Sequence, residues 1–188
     1  MINPEGNNLK CRLYSYFRAI GIQRRCILLT HILVINHEKC TGCRNCELAC
    51  SVQHTGTFNP ARSRIQVLKE EHSNLIAPMV CLQCESPLCK DACPTGAIMY
   101  NDHDTLYVNP DVCIGCLSCV TACVYGGVTL DTTTKKAIKC DLCNGDPACL
   151  KACEYDAISY QEKGKGEKAR FEGTKITRES AGISQEVQ

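Results

Sequence analysis

The chain of 188 residues has no tryptophan and only three phenylalanines. A chain this short without large aromatics has a thin side-chain core, and thin cores need staples. Disulfides are one kind of staple, but no secretory signal pattern opens the sequence. That points to a cytoplasmic setting, where cysteines read as metal ligands. Arg24 and Arg25 precede CILL, yet the apolar run to Ile35 is broken by Thr30 and His31, and no small-residue cleavage site stands before Cys40. Neither export nor a membrane span is expected. The sequence has no P-loop, no G-x-G-x-x-G and no nucleophile constellation. A substrate pocket of its own is therefore not expected, and the chain is not an enzyme when alone. The formal charge of +1 is unevenly spread: residues 1–30 carry a net +4, residues 31–160 a net −4 and residues 161–188 a net +1. The acidic middle gives no support to nucleic-acid binding.

Cysteine is present in excess, at 18 residues, and sixteen of them fall in four sets. The first is Cys40, Cys43, Cys46 and Cys50 in CTGCRNCELAC; the third is Cys113, Cys116, Cys119 and Cys123 in CIGCLSCVTAC. Both read C-x2-C-x2-C-x3-C, the bacterial ferredoxin run for a [4Fe–4S] cluster. Three thiolates at two-residue gaps reach three corners of one cube, and the fourth points away. The second set is Cys81, Cys84, Cys89 and Cys93; the fourth is Cys140, Cys143, Cys149 and Cys153. Their middle gaps widen to four and five residues, with Pro87 and Pro147 in the larger loops. Four cubes need sixteen thiolates, so four [4Fe–4S] clusters are the expected cofactors.

The rival chemistries fit less well. Zinc sites set two C-x2-C pairs apart by a longer loop and do not require the third and fourth cysteines. Plant-type two-iron clusters need C-x4-C-x2-C, which is absent. A C-x-x-C dithiol leaves the triplets unexplained. Only the second set ends in Cys-Pro, at Pro94; Val124 and Glu154 follow the third and fourth sets. Proline helps the chain turn but supplies no ligand. Cys11 and Cys26 lie outside any ligand spacing and are assigned no cluster.

Between the sets the chain reads as short strands and turns. Strands are expected over His31–Asn36, Ser63–Leu68 and Ala77–Val80. Ala97–Tyr100 and Thr105–Val108 flank NDHD as one hairpin, and Val128–Leu130 and Lys136–Lys139 flank DTTTK as another. Ala157–Tyr160 repeats the strand that follows the second set. The unit is thus strand, cysteine loop, short helix at the fourth cysteine, strand. Residues 1–30 fit this pattern poorly, and are read as an accessory extension or an artefact of the assigned start. The tail, 161–188, is charged and is expected to be flexible.

These sets, over residues 40–153, resemble the four-cluster, polyferredoxin-type electron-transfer subunits of multi-subunit oxidoreductases. More narrowly, CTGCRNCELACSVQHTGTFNPARSRI and KCDLCNGDPACLKAC resemble the iron–sulfur subunits paired with tungsten enzymes of the aldehyde:ferredoxin oxidoreductase type, which include class II benzoyl-CoA reductases of anaerobes. The narrower likeness rests on Phe58, Asn59, Pro60, Arg62, Ser63 and Arg64. The resemblance implies an α+β fold with little regular structure and two pseudo-symmetric, bacterial two-cluster ferredoxin-like lobes. The outer lobe would be residues 31–76 with 136–160, and the inner lobe 77–135, together forming one domain over 31–160. It also implies crossed ligation. Cys40, Cys43 and Cys46 would share a cube with Cys153, and Cys140, Cys143 and Cys149 one with Cys50. Cys81, Cys84 and Cys89 would join Cys123, and Cys113, Cys116 and Cys119 would join Cys93. The implied role is an electron relay between a catalytic subunit, with tungsten or molybdenum pterin favoured, and a further electron donor or acceptor. The alternatives are a free soluble polyferredoxin, or an electron-transfer subunit of a hydrogenase or carbon monoxide dehydrogenase.

The remaining polar residues have plain readings. His54, His72 and His103 read as surface or turn residues, since every set is complete without them. Arg44, Lys90, Lys139 and Lys151 stand beside cluster cysteines and read as solvated surface charge; the sharper reading is that they offset cluster charge. Arg62 and Arg64 are candidates for pairing with a partner subunit.

Overall fold

The computed structural model describes residues 31–70 and 75–163. The readings of residues 1–30, of Cys11, Cys26 and His72, and of the tail beyond Lys163 fall outside them.

The regular structure is sparse, as the sequence suggests: four two-stranded antiparallel ladders, each close to a cysteine loop. Strand β1 (His31–Ile35) pairs with β8 (Ile158–Glu162), joining the two ends of the described chain, with Leu33 opposite Tyr160. Strand β8 runs two residues into what the sequence presents as tail. Strand β2 (Ile65–Glu70) pairs with β3 (Leu75–Val80), with Val67 opposite Pro78. The two expected hairpins are present: β4 (Ile98–Tyr100) with β5 (Leu106–Val108), and β6 (Val128–Leu130) with β7 (Ala137–Lys139). Asn101 closes the first turn, its Oδ1 accepting from the N–H groups of His103 and Thr105. Asp131 closes the second in the same way, accepting from Thr133 and Thr134. Such Asx contacts are why these two turns are legible in sequence.

The helices differ from expectation in placement. They are α1 (Asn45–Thr55), α2 (Leu88–Asp91), α3 (Ser118–Ala122) and α4 (Ala148–Lys151). Each carries the third cysteine of its set, whereas the fourth falls at or just past the helix end, except Cys50 inside α1. The loops also fall into two backbone types. In the first and third sets, Gly42 and Gly115 have φ of 72° and 73°, and Arg44 and Leu117 both have φ of 63° directly before the helix. In the second and fourth, Gln83 and Leu142 take positive φ of 49° and 59°, and Pro87 and Pro147 precede the helix. A left-handed residue in each loop turns the chain back within three residues, which a cage of thiols requires.

Two apolar clusters form. The outer core gathers Leu33, Ile65, Val67, Val80, Leu142 and Ile158 around Cys46, Cys50, Cys81, Cys140 and Cys149. The inner core gathers Ile98, Leu106, Val128 and Ala137 around Cys89 and Cys119. Val80 from β3 thus joins the outer core, and Ala137 from β7 the inner one. Strand pairing is the reason, because a two-stranded ladder packs as a unit against one core. Helix α1 packs on α4, and α2 on α3. Arg62 ties the cores together: its Nε and Nη2 donate to both oxygens of Asp131, at 3.1, 3.2 and 2.9 Å. Arg64 Nη1 donates to Asp141 at 2.5 Å. Both arginines, candidates for a partner subunit in the sequence, are therefore engaged within the chain. Among the described residues, no helix is long and apolar enough to cross a membrane.

Candidate iron–sulfur site

All sixteen cysteines of the four sets are free thiols in the structure. They meet across sets, in four groups. One hollow is lined by Cys40, Cys43, Cys46 and Cys153, another by Cys93, Cys113, Cys116 and Cys119. Cys149 feels the charges of Cys50 and Cys143, and Cys140 those of Cys149 and Cys50. Cys89 feels those of Cys81, Cys123 and Cys84. Helix pairing does this: α1 against α4 brings the first and fourth sets together, and α2 against α3 the second and third.

Three of the groups adjoin in turn. Cys149 feels Cys46 of the Cys40/Cys43/Cys46/Cys153 group, and Cys140 feels Cys81, which stands with Cys84, Cys89 and Cys123. Glycine permits one of the close approaches. A Cβ on Gly127 would stand 2.6 Å from the Cα of Cys81, so the backbone following Cys123 runs directly over the second set. A Cβ on Gly115 would come within 2.3 Å of the Lys135 carbonyl oxygen.

The chemistry of these thiols differs with depth. Burial pushes Cys46 up to about 12, helped by the neighbouring Glu47 carboxylate, and Cys149 up to about 12, helped by Cys50. Burial pushes Cys89 up to about 11, with Lys139 opposing the rise. Cys140, also buried, lies well above its ordinary value for the same reason. At the far end, burial acts on Cys93 too but is outweighed by hydrogen bonds from Thr95 and Ala97, so its pKa falls. Cys116 is lowered by the Ser118 hydroxyl and N–H. A buried thiol with such a value keeps its proton unless a cation replaces it, and metal ions do this outright.

The donor set fits iron–sulfur cubes. Sulfur is the soft ligand that such clusters take. Backbone N–H groups aim at the ligand sulfurs: Arg64 at Cys50 at 3.3 Å, Gln83 at Cys81 at 3.4 Å, Ala97 at Cys93 at 3.2 Å, Gly127 at Cys123 at 3.3 Å and Leu142 at Cys140 at 3.4 Å. Such donors stabilise thiolate charge and help set cluster potential.

Four side chains stand apart from the favoured sequence reading, three of them in roles it did not name. Gln83 is buried between two cysteines of the second set; its Nε2 donates to the carbonyls of Leu106 and Cys140, and its Oε1 accepts from Leu106 N–H. Glu47, on α1 between two cysteines, is only 3% exposed and accepts from Val67 N–H at 2.5 Å. His54 is not a surface residue: its side chain is 14% exposed, with Nε2 3.5 Å from Cys143 Sγ and 3.6 Å from Asp141. Burial first, then the Arg64 charge, lowers its pKa, with Asp141 opposing. Lys139 is no solvated surface charge either, at 2% exposure. His103, Arg44 and Lys151 keep their plain reading as exposed or largely exposed groups. A polar residue inside a cysteine set, or within about a helical turn of one, was the available signal for all four.

Two family models match, each described as a 4Fe-4S dicluster domain, over residues 72–163 and 39–99. Between them the two models take in residues 39–163 of this chain. Among curated relatives, the chain is 39% identical over 89 residues to the "aliphatic sulfonate oxidoreductase, polyferredoxin-like subunit" of Pyrococcus furiosus, covering 47% of this chain and 51% of that one. It is 37% identical over 102 residues to the "electron transport protein HydN" of Escherichia coli, covering 49% and 55%. It thus spans about half the length of the curated relatives it matches. Among solved structures, it is similar to a chain of the BamBC active-site complex of benzoyl coenzyme A reductase, at 27% identity and a TM-score of 0.45, covering 81% of this chain and 92% of that one. The matched residues are 4Fe–4S dicluster regions of ferredoxin type, built from small α and β elements.

Proposed function

We propose that the sixteen cysteines hold four [4Fe–4S] clusters in crossed sets, and that the chain is the electron-relay subunit of an oxidoreductase. The observation that carries this is the meeting of thiols about a hundred residues apart, such as Cys50 with Cys149 and Cys40 with Cys153. When bound, the clusters supply one-electron redox chemistry. The chain's own residues hold them by thiolate, exclude water through the two cores and donate N–H groups to sulfur. The groups run in the order Cys40/Cys43/Cys46/Cys153, then Cys140/Cys143/Cys149/Cys50, then Cys81/Cys84/Cys89/Cys123, then Cys113/Cys116/Cys119/Cys93. Among the described cysteines two are exposed, Cys43 in the first group and Cys116 in the last, so the two ends of the series are where partners exchange electrons. The outer and inner cores correspond to two ferredoxin-like lobes within one domain.

The partner at one end is a catalytic subunit, with a tungsten- or molybdenum-pterin enzyme favoured by the likeness of residues 40–65 to subunits of that kind. A cytoplasmic complex in an anaerobe is the setting this implies. The names of relatives, among them subunits of a sulfonate oxidoreductase and of a selenate reductase, support the subunit role. Anaerobic purification from the native host tests it, with metal analysis of whatever co-purifies. A chain that elutes alone with its clusters intact is a free polyferredoxin instead. For the crossed sets, Cys50→Ser is expected to damage the cube of Cys140, Cys143 and Cys149. Loss of the same signal in Cys50→Ser and Cys40→Ser would mean that each set closes its own cube.

A further inference from the structure

Lys139 is among the most completely buried side chains in the molecule. It occupies β7 opposite Val128, the residue after Gly127, where the backbone crosses Cys81. Its Nζ reaches the Leu106 carbonyl oxygen at 3.4 Å. That oxygen also accepts from Gln83, which lies between Cys81 and Cys84. The ammonium therefore stands against the cysteine loop of the third group. Among the described residues no carboxylate pairs with it, and one long hydrogen bond to a carbonyl is poor compensation for a buried charge. Burying an unpaired charge costs several kcal/mol, so a counter-charge is needed. The loop's own carboxylate, Glu85, is 75% exposed and pairs with Lys163 at 3.2 Å, which leaves the thiols as the anionic chemistry on the loop's buried side. The downward pull of Lys139 on Cys89 has the same geometric origin.

We infer that Lys139 is a built-in counter-cation for the cube held by Cys81, Cys84, Cys89 and Cys123, and that it raises that cube's reduction potential above what its thiolates alone would give. The inference rests on the ligation proposed above. One-electron reduction adds one negative charge to a cube that already carries about −2 with its thiolates. The electron comes from a neighbouring cube or an external one-electron donor, and no proton moves in the step. A fixed positive charge in a low-dielectric site favours the more negative state, and little salt reaches it to screen the effect. Lys139 also directly precedes Cys140, so it sits where the second and third groups meet and favours the electron on the third.

The test is a potentiometric titration of the full, cluster-loaded chain, followed by EPR, in wild type and in Lys139→Met, Lys139→Gln and Lys139→Arg. The third-group signal is the one that Cys89→Ser removes. In the Met and Gln variants its oxidised-to-reduced ratio at fixed potential should rise about tenfold, a downward shift of ~59 mV for one electron. The Arg variant should stay near wild type, and the other three signals should hold still. Equal potentials in all four proteins would overturn the inference. So would a shift in Met absent from Gln, which would point to the hydrogen bond alone, or an equal shift in all three variants, which would point to packing. If the neutral variants load iron incompletely, loss of that one cube supports the counter-cation and loss of all four overturns it. A wild-type chain lacking third-group iron would sink the ligation instead.

Discussion

The outer core buries a carboxylate beside its cysteines, and the inner core buries an ammonium. Glu47 lies next to Cys46, with Arg44 Nη1 3.7 Å from its second oxygen. Lys139 lies against the Cys81–Cys84 loop, with no acid paired to it among the described residues. The frames around them are alike: paired helices, short ladders, and loops of the same two backbone types. Such a frame fixes where thiols go and leaves open the sign of the charge buried beside them. In a repeated fold, potential is set by these single side chains, because hydrogen bonds and local charge tune a cluster without altering its ligands.

The largest expected effect removes the comparison altogether. Stripping iron with a chelator under anaerobic conditions should unfold both cores, since each is built around cysteines and has few large apolar side chains. Far-UV circular dichroism and hydrogen exchange would report this. A core that kept native-like protection after iron loss would be standing on its own packing.

Next comes the tie between the cores. Arg62→Ala leaves Asp131 buried without its partner, and should cost about 3 kcal/mol, read as a lower denaturant midpoint for cluster bleaching. Removing the exposed Lys151–Asp146 pair should change the midpoint by less than about 0.5 kcal/mol. Asp131 also carries a pH signature. Burial would raise its pKa, but the hydrogen bonds from Arg62 and the Thr133 and Thr134 turn outweigh it and hold the value at about 2, against an ordinary 3.8. Because folding lowers this pKa, the carboxylate's contribution is complete above 3.8 and is lost as the pH falls through about 2. Arg62→Ala should make stability less steep across that window.

Gly127→Ala should follow, at about 2 kcal/mol, because its Cβ would meet the backbone at Cys81 and must push the inner hairpin away. Gly56→Ala is the outer-core control. Nothing lies within 4 Å of a Cβ there, so only its φ of 67° resists, at about 1 kcal/mol. Iron content of the two variants would show whether the inner close approach is needed for cluster retention.

The smallest effect sharpens the comparison of charges. Glu47→Gln keeps an acceptor for Val67 N–H and removes the charge. The potential of the cube proposed for Cys40, Cys43, Cys46 and Cys153 should rise, by less than the Lys139 substitutions lower theirs, since Arg44 already offsets part of the carboxylate. EPR-monitored titration would read it, and a fall in that potential would contradict the assignment of Glu47.

The sequence by itself determined the cysteine sets, the hairpins at NDHD and DTTTK, and the iron–sulfur chemistry. Each depends on spacing along the chain, where two-residue gaps, Asx turns and alternation act locally. The helices were misplaced by a few residues because the thiol cage, rather than helix propensity, decides where such short turns begin. Tertiary structure alone decided which side chains are buried. The segment Ala137-Ile138-Lys139 illustrates this: read alone, it hides isoleucine and exposes lysine. Pairing of Ala137 with Leu130 and Lys139 with Val128 sets the opposite phase, with Ala137 and Lys139 inside and Ile138 only partly covered. His54 reaches Cys143 only because α1 packs on α4, and Glu47 finds Val67 only because β2 folds back across α1. Burial depends on what a distant segment places over a residue, and no local pattern carries that information.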